Sequence, residues 1–354
     1  MPDLSQHLKE LNIIASAPSR VDVGGTWDLK CFALPYVHIN PVTTNLALTM
    51  RTRIHLRAYK PGWIRILDDQ HHEEYPLDNL DLSCHFGLLY AIVAHFGLSG
   101  LEIEVGYGCP PRSGVGGSGT LGVALAGALA RAQELTGGGN LSREAIVELV
   151  YNIEDGMRYS YTGLQDQCAA AFGGVNRWHW TYGEMSGKFR REPLLTTEGI
   201  TALSARLLVA YVGKSHDSND VNSVQVTDFL AGKNREKWFR VNAIANEFAT
   251  ALSNSDWTTA GNLINEETAI RCSIVPSRIT NIGEKLQTIC HNMSIGFATA
   301  GSGNGGCVWA LARKPEQITK LTDQWQSILN NVPTAQILNV DIDPQGLKVE
   351  QITP

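Results

Sequence analysis

A glycine-rich stretch, CPPRSGVGGSGTLGVAL at 109–125, has the residue types and spacing that most suggest chemistry. From Gly117 onward its small and aliphatic residues recur at helical spacing, so the glycines lead into a helix. The first amide groups of a helix lack partners within the helix and carry partial positive charge, and glycines allow phosphate oxygens to approach them. The hydroxyl groups of Ser113, Ser118 and Thr120 could add hydrogen-bond donors or a magnesium ligand. The stretch therefore predicts a loop that binds nucleotide phosphates.

Other interpretations of these glycines are open. GVGGSG at 114–119 also spells the GxGxxG pattern of dinucleotide-binding proteins. However, GYGCPPRS separates these glycines from the preceding strand, and Glu134 would lie inside the helix rather than at the end of a second strand. A Walker A loop would need Lys-Ser or Lys-Thr after the glycines, and neither follows. The structural alternative is a glycine-rich helix start that packs closely against a neighbour.

Three segments, in order along the chain, resemble the motifs of the GHMP kinases, which include galactokinase, homoserine kinase and mevalonate kinase. ASAPSRVDVGGTWDL at 15–29 is similar to the first motif, PPRSGVGGSGTLGVAL at 110–125 to the second, and ATAGSGNGGCVWAL at 298–311 to the third. The resemblance implies an α+β, two-domain fold that binds ATP and substrate in the interdomain cleft. The expected domains are a GHMP kinase N-terminal domain at 1–195 and a C-terminal domain at 196–354.

A further segment, TGLQDQCAAAFGGVN at 162–176, resembles part of the heptose-phosphate kinases and, more loosely, of galactokinases and fucokinases. LINEE at 263–267 and YVGKSHDS at 211–218 resemble other segments of that branch, and Lys214, Ser215 and His216 could contact the substrate. The resemblance implies ATP-dependent phosphorylation of a sugar or sugar phosphate, with the anomeric hydroxyl as the expected acceptor. The alternatives are a kinase or decarboxylase for a non-sugar alcohol, and a catalytically silent sensor that binds nucleotide and sugar.

Four residues are implied by the resemblance to act on the transferred phosphoryl group. Asp166 would accept the proton of the acceptor hydroxyl, and Arg20 would stabilise developing negative charge. Ser118 and Glu154, the latter twelve residues before Asp166, would hold Mg²⁺. Three of them have a structural alternative: Asp166 could cap the helix that follows it, Arg20 could form a salt bridge at a strand end, and Glu154 could lie on a solvated helix face.

The remaining implied site residues bind ATP or the sugar. The residues expected to bind ATP are Pro111, Ser113, Gly114, Gly116, Gly117, Ser118, Gly119 and Thr120. The residues expected to bind the sugar are Thr26, Trp27, Asp28, Gln165, Gly301, Ser302 and Gly303, with Trp27 covering the sugar ring. The sequence departs from the family pattern in two places. RVDVGGTWD is one residue shorter between Arg20 and Asp28 than the related motifs, and Arg112 and Gly119 replace the more usual Gly and Ser.

Composition points to small-molecule partners. The 354 residues are 43% hydrophobic and 18% charged, with a net charge of −6, so no basic stripe predicts binding to nucleic acid or to an anionic membrane. Seven scattered cysteines fit reduced thiols in the cytoplasm better than a disulfide framework. The ten histidines show no metal-ligand spacing, and His71 and His72 are interpreted as a surface turn. Neither a signal peptide nor a membrane span is expected, and the oligomeric state is open.

The elements that must position these residues follow from periodicity. Short β-rich segments predict strands at 16–23, 46–59, 63–67, 101–105 and 174–189. Helical periodicity predicts helices at 117–135 and after Ser142. A polar, turn-rich segment at 192–199 marks the expected domain boundary. Beyond it, a strand is predicted at 205–213, helices at 220–230, 238–252, 257–271 and 279–291, and strands at 295–299, 307–312 and 337–341.

Overall fold

Strands and helices are interspersed along the chain in the computed structural model, which describes residues 2–157, 161–183, 187–215 and 218–353. Within these ranges the strands are β1 (Asn12–Val23), β2 (Val42–Ala58), β3 (Trp63–Leu67), β4 (His72–Pro76), β5 (Leu101–Gly106), β6 (Val175–Trp180), β7 (Phe189–Pro193), β8 (Leu207–Tyr211), β9 (Gly296–Thr299), β10 (Cys307–Leu311), β11 (Gln336–Leu338) and β12 (Lys348–Ile352). The α-helices are α1 (His7–Glu10), α2 (Lys30–Ala33), α3 (Gly87–Phe96), α4 (Gly117–Leu135), α5 (Arg143–Met157), α6 (Gln165–Phe172), α7 (Thr197–Ser204), α8 (Ser218–Leu230), α9 (Arg235–Ser253), α10 (Trp257–Ile274), α11 (Asn281–Asn292) and α12 (Glu316–Leu329). Short 3₁₀-helices span Leu34–Ile39 and Pro276–Arg278.

The strands form two sheets. The first has eight strands, in the order β12, β1, β2, β5, β3, β4, with β6 added on β2 and β7 on β6. The second has four strands, in the order β11, β8, β10, β9. All of these pairings are antiparallel except that of β3 with β5. The first sheet thus takes its strands from 12–193 and again from 348–352. The division at 195/196 stays a prediction, and the last strand pairs with the first sheet rather than the second.

The first sheet is covered by α3, α4, α5 and α6, whose apolar faces form one core with the strands. α4 is rich in alanine and glycine, and its glycines allow unusually close packing. A Cβ on Gly122 would lie 2.5 Å from Val150 Cγ1 of α5, and one on Gly127 would lie 2.7 Å from Leu347. For Gly122, which belongs to the glycine-rich stretch, the structural alternative of close packing against a neighbour applies.

The second sheet is buried on both faces. Along β8 and β10, Val209 and Trp309 face a core shared with α9, α10 and residues of the first sheet, whereas Leu208 and Ala210 face α11 and α12. Alternate residues of a strand point to opposite faces, so both faces must be apolar. None of the described helices combines the length and apolar character needed to cross a bilayer.

The segment before β12 crosses the end of α6 at backbone contact distance. The amide of Leu347 donates to the carbonyl of Ala171, at 3.1 Å. Gly346 has φ = +72°, and a Cβ there would lie 2.4 Å from the Ala171 carbonyl oxygen. The Asp343 carboxylate pairs with Arg51 of β2 and accepts from the amide of Gly346. The segment therefore anchors α6 to the first sheet.

Replacing Gly346 with Ala should destabilise the protein more than replacing Gly62 with Ala. Both glycines have positive φ, but a Cβ on Gly62 would meet no atom within 4 Å. We expect Gly62→Ala to lower the free energy of unfolding by about 1 to 2 kcal/mol through backbone strain alone. Gly346→Ala should lower it by a further ~1 to 3 kcal/mol, because backbone atoms must move. Urea denaturation measures both, and equal losses would contradict the close crossing.

Candidate active site

A cavity of about 760 Å³ is lined by the glycine-rich start of α4, the loop after β1, the start of α6 and the loop between β9 and β10. Its volume falls in the range of small-molecule sites. Most of the predicted site residues line it: Arg20, Thr26, Asp28, Pro111, Ser113, Gly114, Gly116, Gly117, Ser118, Glu154, Gln165, Asp166, Gly301 and Ser302. The fold thus brings together residues from three separate motifs.

Arg20 of β1 joins the strand to α6. Its Nε and Nη2 lie 2.7 and 2.6 Å from Asp166 Oδ1, and its Nη1 lies 2.9 Å from Asp22 Oδ1 and donates to the carbonyl of Gly114, also at 2.9 Å. Arg20 and Asp22 are two residues apart on a strand and therefore share a face. The Arg20 side chain is 5% exposed and that of Asp166 is 27% exposed. Asp166 is thus held by a buried cation while part of its carboxylate remains open to the cavity.

The glycines before α4 allow Asp166 to approach the N-terminus of that helix. Gly116 precedes the helix with φ = +82°, and a Cβ there would lie 3.0 Å from Asp166 Cγ. A Cβ on Gly119 would lie 2.7 Å from Asp166 Cβ. Gly117 and Ser118 are exposed at the first turn, where amide groups have no partner within the helix. The result is a helix N-terminus with open amide groups beside a carboxylate.

Glu154 of α5 forms a second polar centre with Ser118. The Ser118 hydroxyl donates to Glu154 Oε1 at 2.8 Å, and the side-chain amide of Gln167 donates to Oε2 at 2.7 Å. Burial, with a smaller contribution from the charge of Asp166, raises the pKa of Glu154 to about 7. Among the described residues, no cation lies within ion-pair distance of this carboxylate. A buried carboxylate and a hydroxyl without a cationic partner are suitable oxygen ligands for Mg²⁺.

Asp28, in the loop after β1, lines another part of the cavity. Its Oδ2 accepts from the amide of Gln165 at 3.2 Å, and its main-chain carbonyl accepts from the Tyr182 hydroxyl at 2.8 Å. Burial, followed by the charge of Asp166, raises the pKa of Asp28 to about 7. The side-chain oxygen of Gln165 is buried and has no hydrogen-bond partner among the described residues. Asp28 and Gln165 therefore offer acceptors for hydroxyl groups.

The two glycine-rich loops contact each other through their backbones. A Cβ on Gly301 would lie 2.6 Å from the Gly114 carbonyl oxygen, and one on Gly306 would lie 2.4 Å from that of Ser113. The amide of Cys307 donates to the Ser113 carbonyl at 2.7 Å, and that of Gly301 to Asp22 Oδ1 at 3.3 Å. The third motif therefore packs against the phosphate loop and against β1.

Trp27 does not cover a sugar ring, and that expectation is wrong. The side chain is fully buried, its indole N–H donates to the carbonyl of Trp238 at 3.0 Å, and its ring packs edge to face on Phe32 and Phe229. The aromatic ring is directed into the core beneath the loop after β1, residues 24–29, which we call the acceptor loop. It supports that loop rather than contacting the cavity.

Three predicted glycine or hydroxyl contacts also lie behind the cavity wall. The Thr120 hydroxyl is buried and donates to the Gly116 carbonyl at 2.8 Å, so it is not available to phosphate. Gly119 packs on Asp166, and Gly303 on Arg278, whose Cγ would lie 2.4 Å from a Cβ on Gly303. Lys214 and Ser215 do not line the cavity, and His216 lies outside the described residues.

Sequence reasoning missed two groups that line the cavity. Arg271 of α10 lies beside Thr26, although its only sequence signal was the i,i+4 spacing from Glu267 in LINEE. Asp68, His71 and His85 place their donor atoms within 4.8 Å of one another at another part of the wall. Tyr107 joins them there, with its hydroxyl 3.3 Å from Asp68. His71 precedes β4 and His85 follows it in sequence, so the spacing of the histidines did not reveal this cluster.

Comparison with known proteins identifies part of the chain. Residues 84–174 match the GHMP kinases N terminal domain family. They include the start of α4, Glu154 and Asp166. No curated protein is significantly similar to the chain in sequence.

Several solved kinase structures share the fold of this chain. A D-glycero-D-manno-heptose 1-phosphate kinase from Bacteriodes thetaiotaomicron superposes with a TM-score of 0.74 at 16% identity, over 97% of this chain and 100% of that one. The galactokinase of Lactococcus lactis, complexed with galactose, gives 0.73 at 15% identity over 96% and 95%. The phosphomevalonate kinase of Streptococcus pneumoniae, complexed with phosphomevalonate and AMPPNP, gives 0.73 at 13% identity over 93% and 99%. The predicted mixed α and β fold of GHMP kinases is therefore confirmed.

The raised pKa of Glu154 predicts how stability depends on pH without Mg²⁺. A carboxyl whose pKa is about 7 when folded and 4.5 when unfolded favours the folded state below pH 4.5, and this contribution is lost as the pH rises through 7. Glu154→Gln should therefore reduce the loss of unfolding free energy between pH 5 and pH 8 by about 2 to 3 kcal/mol.

Asp155→Asn is the matched control, because Asp155 is the exposed neighbour on the same helix. Urea denaturation at the two pH values should show the wild-type slope for this variant. If Glu154→Gln lost as much unfolding free energy between pH 5 and pH 8 as the wild type, the Glu154 carboxyl would ionise near its ordinary pKa.

Proposed function

We propose that this protein is an ATP-dependent kinase that transfers the γ-phosphoryl group to a hydroxyl group, most favourably the anomeric one, of a sugar or sugar phosphate. One observation carries the proposal. Asp166, held by Arg20, lies against the N-terminus of α4 and in the same cavity as the Ser118–Glu154 pair. A proton acceptor, a phosphate-binding helix terminus and a set of metal ligands are the parts that phosphoryl transfer requires.

The residues that line the cavity suggest an orientation for the nucleotide. Its phosphates would bind at Gly114–Ser118, where the glycines leave the backbone open. Thr26, Asp28 and Gln165 occupy the acceptor side, so the γ-phosphate must point toward them. The adenine ring of ATP would then lie near Tyr107 and Pro110, which line the same cavity next to the phosphate loop.

Transfer proceeds by displacement at the γ-phosphorus. The acceptor hydroxyl loses its proton to Asp166, its oxygen forms a bond to the γ-phosphorus, and the bond to the β,γ-bridging oxygen breaks, which releases ADP. Ser118 and Glu154 would hold Mg²⁺, which neutralises phosphate charge when bound. Arg20 forms an ion pair with Asp166 and lies close enough to stabilise charge on the transferred group. Asp28 and Gln165 orient the acceptor through its hydroxyl groups.

The sugar assignment rests on the segment at 162–176, which resembles sugar kinases, and on the acceptors that Asp28 and Gln165 present. Similarity of fold to a phosphomevalonate kinase leaves a non-sugar alcohol as the alternative acceptor. ADP release should be measured with ATP and Mg²⁺ against fucose, galactose, arabinose, mannose, glucuronate, galacturonate and heptose 7-phosphate, with mevalonate and homoserine as comparison arms. Turnover only on mevalonate or homoserine would overturn the sugar assignment.

Replacing Asp166 with Asn should lower kcat by about 10²- to 10⁴-fold, because the amide cannot accept the proton. The dissociation constant of ATP should change little, since no part of the phosphate loop is altered. ADP release and isothermal titration with ATP measure the two effects, and Asp155→Asn is again the control. Turnover at the wild-type rate in Asp166→Asn would remove this residue as the base.

A further inference from the structure

Two arginines lie buried at the acceptor end of the cavity, outside the machinery that acts on the phosphoryl group. Arg271 of α10 and Arg278 of the following 3₁₀-helix are each 2% exposed. Arg271 lines the cavity, and Arg278 lies beneath the loop of Gly301 and Ser302 that also lines it. Burying a guanidinium group is unfavourable unless an anion compensates it.

Arg271 is fixed in place but not fully used. Its Nη1 donates to Glu267 Oε1 at 3.1 Å and its Nη2 to the Thr26 hydroxyl at 3.2 Å, whereas its Nε is buried without a partner among the described residues. Glu267 Oε1 also accepts from the amide of Gly24. Both contacts hold the guanidinium plane against the acceptor loop, and further N–H groups remain for a ligand.

Arg278 has no carboxylate of the described residues within ion-pair distance. Its Nη1 and Nη2 donate to the carbonyls of Ser302 and Gly301, at 2.7 and 2.6 Å. Burial, and then the positive charge of Arg271, lowers the pKa of Arg278 to about 9. Arg271, Arg278 and Glu267 together form one corner of the site. Glu267 is the carboxylate that forms a direct ion pair there, and it faces two guanidinium groups. Asp22 lies nearby, but it forms its ion pair with Arg20.

The acceptor loop is held in an unfavourable conformation where it meets Arg271. Thr26 has φ = +85°, a region that β-branched residues rarely adopt. Its hydroxyl accepts from Arg271 and donates to Gln225 of α8, at 3.1 Å. Such strain persists only where surrounding contacts impose it, and it is typical of ligand sites.

The corner lies apart from the reacting hydroxyl. A continuous set of contacts runs from Asp166 to Arg20, from Arg20 to Asp22, and then past Gly25 to Arg271. A Cβ on Gly25 would lie 2.2 Å from Asp22 Oδ2 and 3.3 Å from Arg271 Nη1. Along this set of contacts, the Arg20–Asp22 ion pair and Gly25 therefore separate Arg271 from Asp166.

We infer that the acceptor carries an anionic group, a phosphate or a carboxylate, and that Arg271 binds it at the end of the cavity away from Asp166. The inference rests on the proposed function, since it assumes that the acceptor occupies this side of the cavity. The guanidinium fork suits an oxyanion with two oxygens available, which both groups provide. The anion would also supply the negative charge that this corner lacks.

Binding by isothermal titration with matched sugars tests the inference without relying on turnover. Galactose, galacturonate and galactose 6-phosphate form one series, and the corresponding glucose and mannose compounds form two more. At least one anionic sugar should bind about 10- to 100-fold more tightly than its neutral parent, the effect expected for a hydrogen bond to a charged group. Preference for the 6-phosphates or for the uronates identifies which anion the site accepts.

The variant Arg271→Gln should abolish this preference. Because the variant leaves Glu267 unpaired in the interior, the double variant Glu267→Gln with Arg271→Gln replaces both charges and keeps an acceptor for the Gly24 amide. Arg240→Gln is the control, since Arg240 lies on the outer surface of α9 in exposed ion pairs. Urea denaturation confirms that each variant is folded.

Equal binding of neutral and anionic sugars would overturn the inference. So would binding of no anionic sugar, or a preference that survives in the double variant. ADP release, measured in parallel, separates this result from the proposed function. Turnover of neutral sugars without any anionic preference would leave the kinase standing and remove the role of Arg271. Selective binding of anionic sugars without ADP release would support the role of Arg271 and contradict the proposed kinase activity.

Discussion

The arrangement of the cavity depends on one buried guanidinium group. Arg20 contacts two carboxylates and one carbonyl, and these belong to α6, to its own strand and to the phosphate loop. Charge-assisted hydrogen bonds in a low-dielectric interior are strong and directional, and burying an unpaired cation or anion there is costly. The three segments are therefore mutually constrained. The position of Asp166 relative to the phosphate loop is set by this ion pair before any ligand binds.

The glycines of the same stretch allow the close backbone approach that the contacts of Arg20 require. A guanidinium fork can join three segments only if their backbones approach closely, and side chains at Gly114, Gly116 or Gly119 would prevent this. The same stretch thus has two uses along its length. At Gly117 and Ser118 it leaves amides open, as expected of a phosphate loop, whereas at Gly119 and Gly122 it permits close packing of helices. Close packing is therefore observed at Gly119 and Gly122, whereas phosphate binding at Gly117 and Ser118 stays a prediction.

Periodicity predicted the strand at 63–67 and the helix at 117–135 well, since each pattern is long or regular enough to be unambiguous. It missed α3, whose run GLLYAIVAHF is too uniformly apolar to show a face, and α7, which Thr196 caps within a polar segment. Motifs located Arg20, Asp166, Ser118 and Glu154. They could not show that Trp27 turns into the core, nor that Arg271 reaches the acceptor loop, because both depend on tertiary contacts between distant parts of the chain.

The crossing of Gly346 over the end of α6 has a consequence for biosynthesis. Synthesis on the ribosome is vectorial, and domains generally fold as they emerge. Here the helix that carries Asp166 appears more than 150 residues before the segment that anchors it, so the first sheet can be completed only after residues 348–352 have been synthesised. Nascent chains that stop early lack this anchor and expose the edge of β1. Assembly of the cavity around Asp166 is thereby coupled to synthesis of the segment at 343–352.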